Sequence, residues 1–201
     1  MKVIIFLLIS PLIGFILAFF LEKTSHLLLK NAEFGLNQHL KRLQWIMSGA
    51  LSFNHGANDT QKIIGLIMLA LASANNTSVD AAPLWVRVGG GSVMFLGTML
   101  GGWSIMKTVG RRIYILNALD CFNAQLSAAL SVFGANLAGA PVSTTHVVVG
   151  SVVGVGAAEK IKRIHWGVTK EILISWVITI PLSAIVSGLI YVIINSFGLT
   201  A

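Results

Sequence analysis

The residues best equipped for chemistry lie in the run Ser52-Phe53-Asn54-His55-Gly56-Ala57-Asn58-Asp59-Thr60-Gln61-Lys62, set inside an otherwise apolar stretch, Gln44–Ser73. Asp59 is the most telling of them. An ionised carboxylate near the centre of a bilayer costs roughly 2.5–3.5 kcal/mol even on insertion scales, so it needs a compensating partner. Lys62 shares its helix face and offers a structural ion pair. The alternative is a cation site, in which Asp59 is joined by the amide oxygens of Asn54 and Asn58 and by carbonyls freed at Gly56. Gln61 and Lys62 would support it. Broken helices at the bilayer midplane are where transporters coordinate Na⁺ or protons. The unbroken polar run from Asn58 to Lys62 leaves no helix face to meet lipid, which favours the cation site.

A second constellation is Gly139-Ala140-Pro141-Val142-Ser143-Thr144-Thr145-His146. Proline turns the preceding residue out of the α region and fits the first turn of a helix, so a helix is predicted to start at or near Pro141. Its first turns would present unpaired N–H groups, the hydroxyls of Ser143, Thr144 and Thr145, and the positive end of the helix dipole. Such a start binds anions readily. Ordinary capping by Ser or Thr is the plainer reading. A carboxylate close to a bound anion would repel it unless a cation lay between them. The two constellations together therefore point to coupled movement of a cation and an anion.

These groups must be held by membrane-spanning elements. The chain has 201 residues, 55% of them hydrophobic and only 10% charged, with a mean hydropathy of +0.83. A soluble domain carries about 25% charged residues. The apolar runs Val3–Leu21, Val88–Met106 and Ile172–Ile194 are each long enough to cross a hydrocarbon core of about 30 Å. Gln44–Ser73 as helix would measure about 45 Å, so a broken or strongly tilted span is expected there. Residues 22–44 read as a helix lying in the interface, or as a loop with some helix. Val88–Met106 is rich in glycine (Gly89, Gly90, Gly91, Gly97, Gly101 and Gly102), which predicts close helix packing. Ala118–Leu137 and Val142–Ala158 form two membrane arms separated only by Ala138–Pro141. Their polar residues, Gln125 and His146 among them, favour burial around a cavity over contact with lipid.

Charge sets the orientation. Lys23, Lys30, Lys41, Arg42, Lys107, Arg111, Arg112, Lys160, Lys162, Arg163 and Lys170 are eleven of the fourteen Lys and Arg residues, and all lie in polar segments between apolar runs. The positive-inside rule makes those segments cytoplasmic, with Asn76 and Thr200 external. The net charge of +7 is thereby explained without nucleic acid. The first apolar run is too long for a signal peptide and Phe19-Phe20-Leu21-Glu22 offers no small-residue cleavage site, so it reads as a retained span. Cys121 is the single cysteine, which excludes an intrachain disulfide. His55 and His146 have no carboxylate or cysteine cluster to complete a metal site, and no spacing suggests the nucleophile, base and orienting group of a hydrolase.

Gly56-Ala57-Asn58-Asp59-Thr60-Gln61-Lys62 followed by Pro141-Val142-Ser143-Thr144-Thr145-His146 resembles the inorganic phosphate transporter (PiT) family. The resemblance extends through Ile9–Phe15, Lys107–Gly110, Gln125–Ala129 and Ile174–Pro181, nearly the whole chain in order, and matches the C-terminal repeat of a bacterial member. It implies a non-enzymatic, multi-pass transporter of the cell membrane, built from two inverted repeats. By resemblance, Asn58 and Asp59 bind the coupling cation, Na⁺ or H⁺, and Ser143, Thr144 and Thr145 bind phosphate. Position 125 is Gln where many members carry Glu, which leaves the coupling stoichiometry open. Only one copy of each motif is present, so a complementary N-terminal repeat is expected as partner. Ser10-Pro11-Leu12 and Thr179-Ile180-Pro181-Leu182 sit at similar places in the first and last spans. They suggest a final span of one repeat followed by a whole second repeat. The expected architecture is an all-α membrane protein with about four spans, one of them broken, plus a hairpin of two membrane helices. It forms one membrane domain over 1–201, with a first span at 1–21, an interfacial segment at 22–44 and one transporter repeat at 45–201. Two other functions fit the same residues: transport of sulfate or another oxyanion, and a membrane subunit that transports nothing.

Overall fold

The computed structural model describes residues 2–30, 36–75 and 81–196, and among these it contains helices and connecting turns but no strand. Six α-helices follow one another: α1 (Lys2–Leu28), α2 (Leu36–Asn75), α3 (Leu84–Thr108), α4 (Ala118–Leu137), α5 (Thr144–Lys160) and α6 (Trp166–Ser196). A π-helical turn, Val109–Ile113, extends α3, and a 3₁₀ turn, Ile161–Arg163, ends α5. Among the described residues, three segments are long and apolar enough to cross a membrane: Ile5–Leu28, Leu84–Ile113 and Trp166–Ser196. They coincide with the expected spans. The chain divides into two compact units, Met1–Ile164 and His165–Ala201.

Within the first unit, α1 packs most extensively along α5, while α4 contacts α2, α5 and α1. The α1–α5 contact is closer than ordinary side chains allow. A Cβ added at Gly150 would overlap the carbonyl of Pro11, and one at Gly154 would overlap that of Phe15. Small residues one helical turn apart let membrane helices approach at backbone distance, where van der Waals packing drives association. Because Pro11 meets Gly150 and Phe15 meets Gly154, the two helices run parallel. Ala128, Val132 and Val147 form a small fully buried core between α4 and α5, with Leu51 of α2 packed against it.

The hairpin is as expected in its first arm, since α4 spans Ala118–Leu137. A capping box starts it: the Asn117 side chain accepts the N–H groups of Leu119 and Asp120, while Asp120 Oδ2 accepts the Asn117 N–H at 2.9 Å. Gly139, with φ of 61°, turns the chain at the tip. Only glycine adopts that left-handed conformation without a Cβ penalty.

Contacts between elements gather the basic segments at one end of this unit. Glu22 meets α4 near its start, Gln44 Nε2 donates to Ala118 O at 2.6 Å, and the Tyr114 hydroxyl donates to Glu159 Oε2 at 2.5 Å. Burial and the neighbouring Glu159 carboxylate raise the Tyr114 phenol above its ordinary range, so it remains a donor. The same end carries Lys23, Lys41 and Lys107–Arg112, and both arms of the hairpin return to it. In the second unit, α6 is a single helix with Pro181 inside it, just as Pro11 lies inside α1.

Four expectations are corrected. The polar run of α2 does not break the helix: Leu36–Asn75 is continuous over 40 residues. It contains no proline, and side-chain bonds to neighbouring elements satisfy its polar groups without unwinding the backbone. Of the two readings of 22–44, the described residues do not give a separate interfacial helix: those up to Leu28 continue α1 and those from Leu36 belong to α2. The helix after Pro141 starts at Thr144, with Ser143 as its cap and Ala140–Ser143 non-helical. Finally, Gly89, Gly91, Gly97 and Gly101 of α3 have no neighbour within 4 Å of an added Cβ; Gly90 alone of the α3 glycines meets another helix, at Ile64 and Ile63. Among the described residues the closest glycine contacts between helices are those of Gly14 in α1 and of Gly150 and Gly154 in α5. Asn76 and Thr200, expected to be external, lie outside the described residues.

Candidate functional site

Asp59 stands near the middle of α2, among side chains from three turns of the same helix. Lys62 Nζ donates to its Oδ1 at 2.9 Å, and His55 Nδ1 lies 3.2 Å from its Oδ2. Asn58 Nδ2 also reaches Oδ1, at 3.0 Å. The ion pair foreseen between Asp59 and Lys62 is therefore formed. Residues three and four apart share a helix face, which is why this sequence assembles the cluster without any tertiary help.

The cluster reaches the hairpin through a backbone oxygen. Val142 O accepts from Asn58 Nδ2 at 3.0 Å and from Lys62 Nζ at 2.7 Å. Asn58 Nδ2 further contacts Thr144 Oγ1 at 3.2 Å. Asn58, Val142 and Thr144 are all buried. An amide with two hydrogens serving acceptors on two elements fixes the distance between them, since leaving a buried polar group unpaired costs about 1–3 kcal/mol. The two constellations picked out in the sequence, far apart along the chain, thus meet at one junction.

The remaining candidates take different positions. Ser143 acts as the cap of α5, its Oγ accepting the His146 N–H at 3.4 Å. Its hydroxyl is half-buried, and Thr145 beside it is exposed. His146 turns towards α1, with Nδ1 3.4 Å from Leu7 O. Asn54 is buried one turn before Asn58 and donates to Ala129 O of α4 at 3.4 Å. Gln61 is exposed on α2. Gln125 is half-buried with an Oε1 that accepts no hydrogen bond. The geometry thus unites Asn58, Asp59, Lys62 and Thr144, sets Ser143 at the edge, and leaves Asn54, Gln61, Gln125, Thr145 and His146 at the separate positions just given.

Sequence reasoning missed the carbonyl of Val142, because a backbone oxygen has no residue type to notice. α5 begins at Thr144 with Ser143 as its cap, so the Val142 carbonyl, one residue before the cap, stays outside the intrahelical bonding pattern.

Comparison with known proteins agrees with this architecture. The sequence model of the Phosphate transporter family matches residues 30–187. The chain belongs to that family. A relative from Bacillus subtilis, described as "Probable low-affinity inorganic phosphate transporter", is 41% identical over 196 residues, covering 96% of this chain and 59% of the relative. A protein of Rhizobium meliloti with the same description is 37% identical over 187 residues, covering 92% and 56%. Among solved structures, "The sodium-dependent phosphate transporter" matches with a TM-score of 0.70 at 30% identity, over 96% of this chain and 56% of that one. The chain therefore spans a little over half the length of these three proteins. Family and relatives are transporters rather than enzymes, and the long apolar helices make this a membrane protein.

Proposed function

We propose that this chain supplies one half of a cation-coupled phosphate translocation site in the cell membrane. The observation that carries the reading is the shared carbonyl of Val142, which joins Asn58 and Lys62 of α2 to the hydroxyl-bearing start of α5. Thr144, with Ser143 and Thr145 on either side, offers hydroxyl donors to an anion. The free N–H groups of the first turn and the positive end of the α5 dipole add to that attraction. Asp59 opposes it. A carboxylate held this close to an anion site is useful only when a cation neutralises it, so the cation and the anion bind together or not at all.

In this mechanism the coupling cation displaces Lys62 from Asp59 and takes oxygen ligands from Asp59 and from Asn58. The cation charge then compensates the phosphate held at the hairpin start. The description of the matched structure as sodium-dependent supports Na⁺, and a proton on Asp59 would satisfy the same electrostatics. The complete site is formed with a complementary N-terminal repeat, since midplane sites of this type are enclosed by two inverted repeats. Pro11 in α1 and Pro181 in α6 support that symmetry. With its Lys and Arg residues biased to one side, two copies of this chain would insert in parallel and would not replace the inverted partner.

Reconstitution tests the reading. Proteoliposomes holding this polypeptide together with an N-terminal half should take up radiolabelled phosphate, with sulfate failing to compete; this polypeptide alone should take up none. Robust uptake by the chain alone would refute the half-site, and sulfate competing as strongly as unlabelled phosphate would refute the substrate.

A further inference from the structure

A second polar cluster lies at the basic end of the first unit, on other residues than the Asp59 junction. Glu22, near the end of α1, is 0% exposed, and Asp120, in the first turn of α4, is 1% exposed. His26 stands one turn beyond Glu22 and is exposed, its Nε2 2.9 Å from Glu22 Oε1. One donor atom from each of Glu22, His26 and Asp120 lies within 4.8 Å of the other two. Glu22 Oε2 accepts Asn123 Nδ2 at 2.9 Å, and Asn123 Oδ1 accepts Ser25 Oγ at 3.2 Å.

Two features set this apart from a solvated acidic patch. The first is Asp120: its Oδ2 is used by the capping box, but its Oδ1 is buried and accepts no hydrogen bond. A buried carboxylate oxygen left without a donor is expensive. The second is charge. Among the described residues no Lys or Arg pairs with either carboxylate. Glu159, a third carboxylate, acts on both, and so does the half-exposed imidazole of His26, whose ion pair is with Glu22.

We infer that Glu22, His26 and Asp120 form a binding site for a divalent transition-metal ion of the Zn²⁺ class. A doubly charged ion neutralises both carboxylates at once and gives Asp120 Oδ1 a partner. Oxygen ligands alone suit Mg²⁺ or Ca²⁺, whereas an imidazole in the set selects for Zn²⁺ and its neighbours. Bonds of about 2.0–2.1 Å place adjacent donors roughly 3.3 Å apart around a tetrahedral ion. The three donors therefore close by no more than about 1.5 Å to reach it. Exposed His26 provides the way in and leaves the fourth position to water. Asn123 orients Glu22 from behind, the usual arrangement around a metal-bound carboxylate. Because Glu22 and His26 belong to α1 and Asp120 to α4, the ion clamps the first helix to the base of the hairpin.

The test uses the full chain purified in detergent without a histidine tag. Titration with Zn²⁺ by calorimetry should give one ion per chain, and Co²⁺ should produce visible d–d absorption that Zn²⁺ abolishes and equal Mg²⁺ does not. His26→Ala, at an exposed position, and Glu22→Gln should each lower Zn²⁺ affinity at least tenfold. The His26→Ala chain should keep the metal-free melting temperature of the wild type, and Zn²⁺ should raise that temperature in the wild type only. Absence of stoichiometric binding by the wild type would overturn the site. So would wild-type affinity in either variant, which would move the ion to other histidines, or displacement of Co²⁺ by equal Mg²⁺.

Discussion

Replacing Asn58 discriminates between the ways its side chain can act, because Ala and Asp perturb it in different senses. In the structure Asn58 is a donor: Nδ2 faces Val142 O at 3.0 Å, Thr144 Oγ1 at 3.2 Å and Asp59 Oδ1 at 3.0 Å. Asn58→Ala removes two hydrogens. Val142 O keeps Lys62 Nζ at 2.7 Å, so it is not orphaned. Thr144 Oγ1 is left without that donor in a buried setting. At about 1 kcal/mol for each net bond the loss is roughly 2 kcal/mol, equivalent to about 30-fold in an equilibrium constant. Asn58→Asp keeps the shape but turns the donor into an acceptor, facing a carbonyl, a hydroxyl oxygen and the Asp59 carboxylate. It should be worse than Ala. The assay is the half-saturation for labelled phosphate in proteoliposomes of the complete transporter, with a melting temperature in detergent as the measure of folding. The expected order is wild type, then Ala, then Asp in both readouts. An Asn58→Asp variant that transports as well as the wild type would refute the donor assignment. It would show that the position needs oxygen ligands only.

Three other perturbations probe separate parts of the structure. Gly150→Val places methyl groups against the Pro11 backbone, where even a Cβ lies 2.8 Å from its carbonyl carbon; α1 must separate from α5, lowering the melting temperature in proportion to an overpacking cost of about 1–3 kcal/mol, and an unchanged melting curve would contradict the close contact. Ser143→Ala should cost about 1 kcal/mol of stability through loss of the α5 cap, while Thr144→Ala should chiefly raise the half-saturation for phosphate, because its hydroxyl lies in the junction. The reverse pattern would exchange their roles. Single cysteines at positions 41, 111 and 162 should react with an impermeant maleimide from the cytoplasmic side, and those at 76 and 200 from outside; labelling of 111 and 162 from opposite sides would disprove the returning hairpin.

Much of the architecture was legible because membrane helices obey simple bounds. Spans follow from the length of apolar runs, and the end of α4 was marked by the Ala138–Pro141 turn. Failures came where lateral contacts replaced a local rule. The polar centre of α2 looked like a break when its side chains were imagined in lipid, but Asn58 and Lys62 bond to the Val142 carbonyl, so the helix has no reason to unwind. Glycines were expected to pack in α3, where they are most numerous, but packing depends on what faces them, and Pro11 and Phe15 face Gly150 and Gly154 of α5. Both halves of the candidate site were identifiable by residue type, while their meeting was not, because it runs through a backbone oxygen. The Glu22–His26 pair has the spacing of one helix face. Its partner Asp120 is indistinguishable in sequence from an ordinary member of a capping box.

The most direct test of the transport site is Asp59→Asn in the complete transporter. Labelled phosphate uptake would be measured in proteoliposomes under an imposed Na⁺ gradient, and again under a proton gradient. Without the carboxylate nothing holds the coupling cation beside the anion, although insertion becomes easier once the charge is gone. The variant should therefore reach the membrane at wild-type levels and show no gradient-driven uptake with either ion. Uptake that still follows the wild-type driving ion at the wild-type rate would contradict the assignment of Asp59 as the cation ligand.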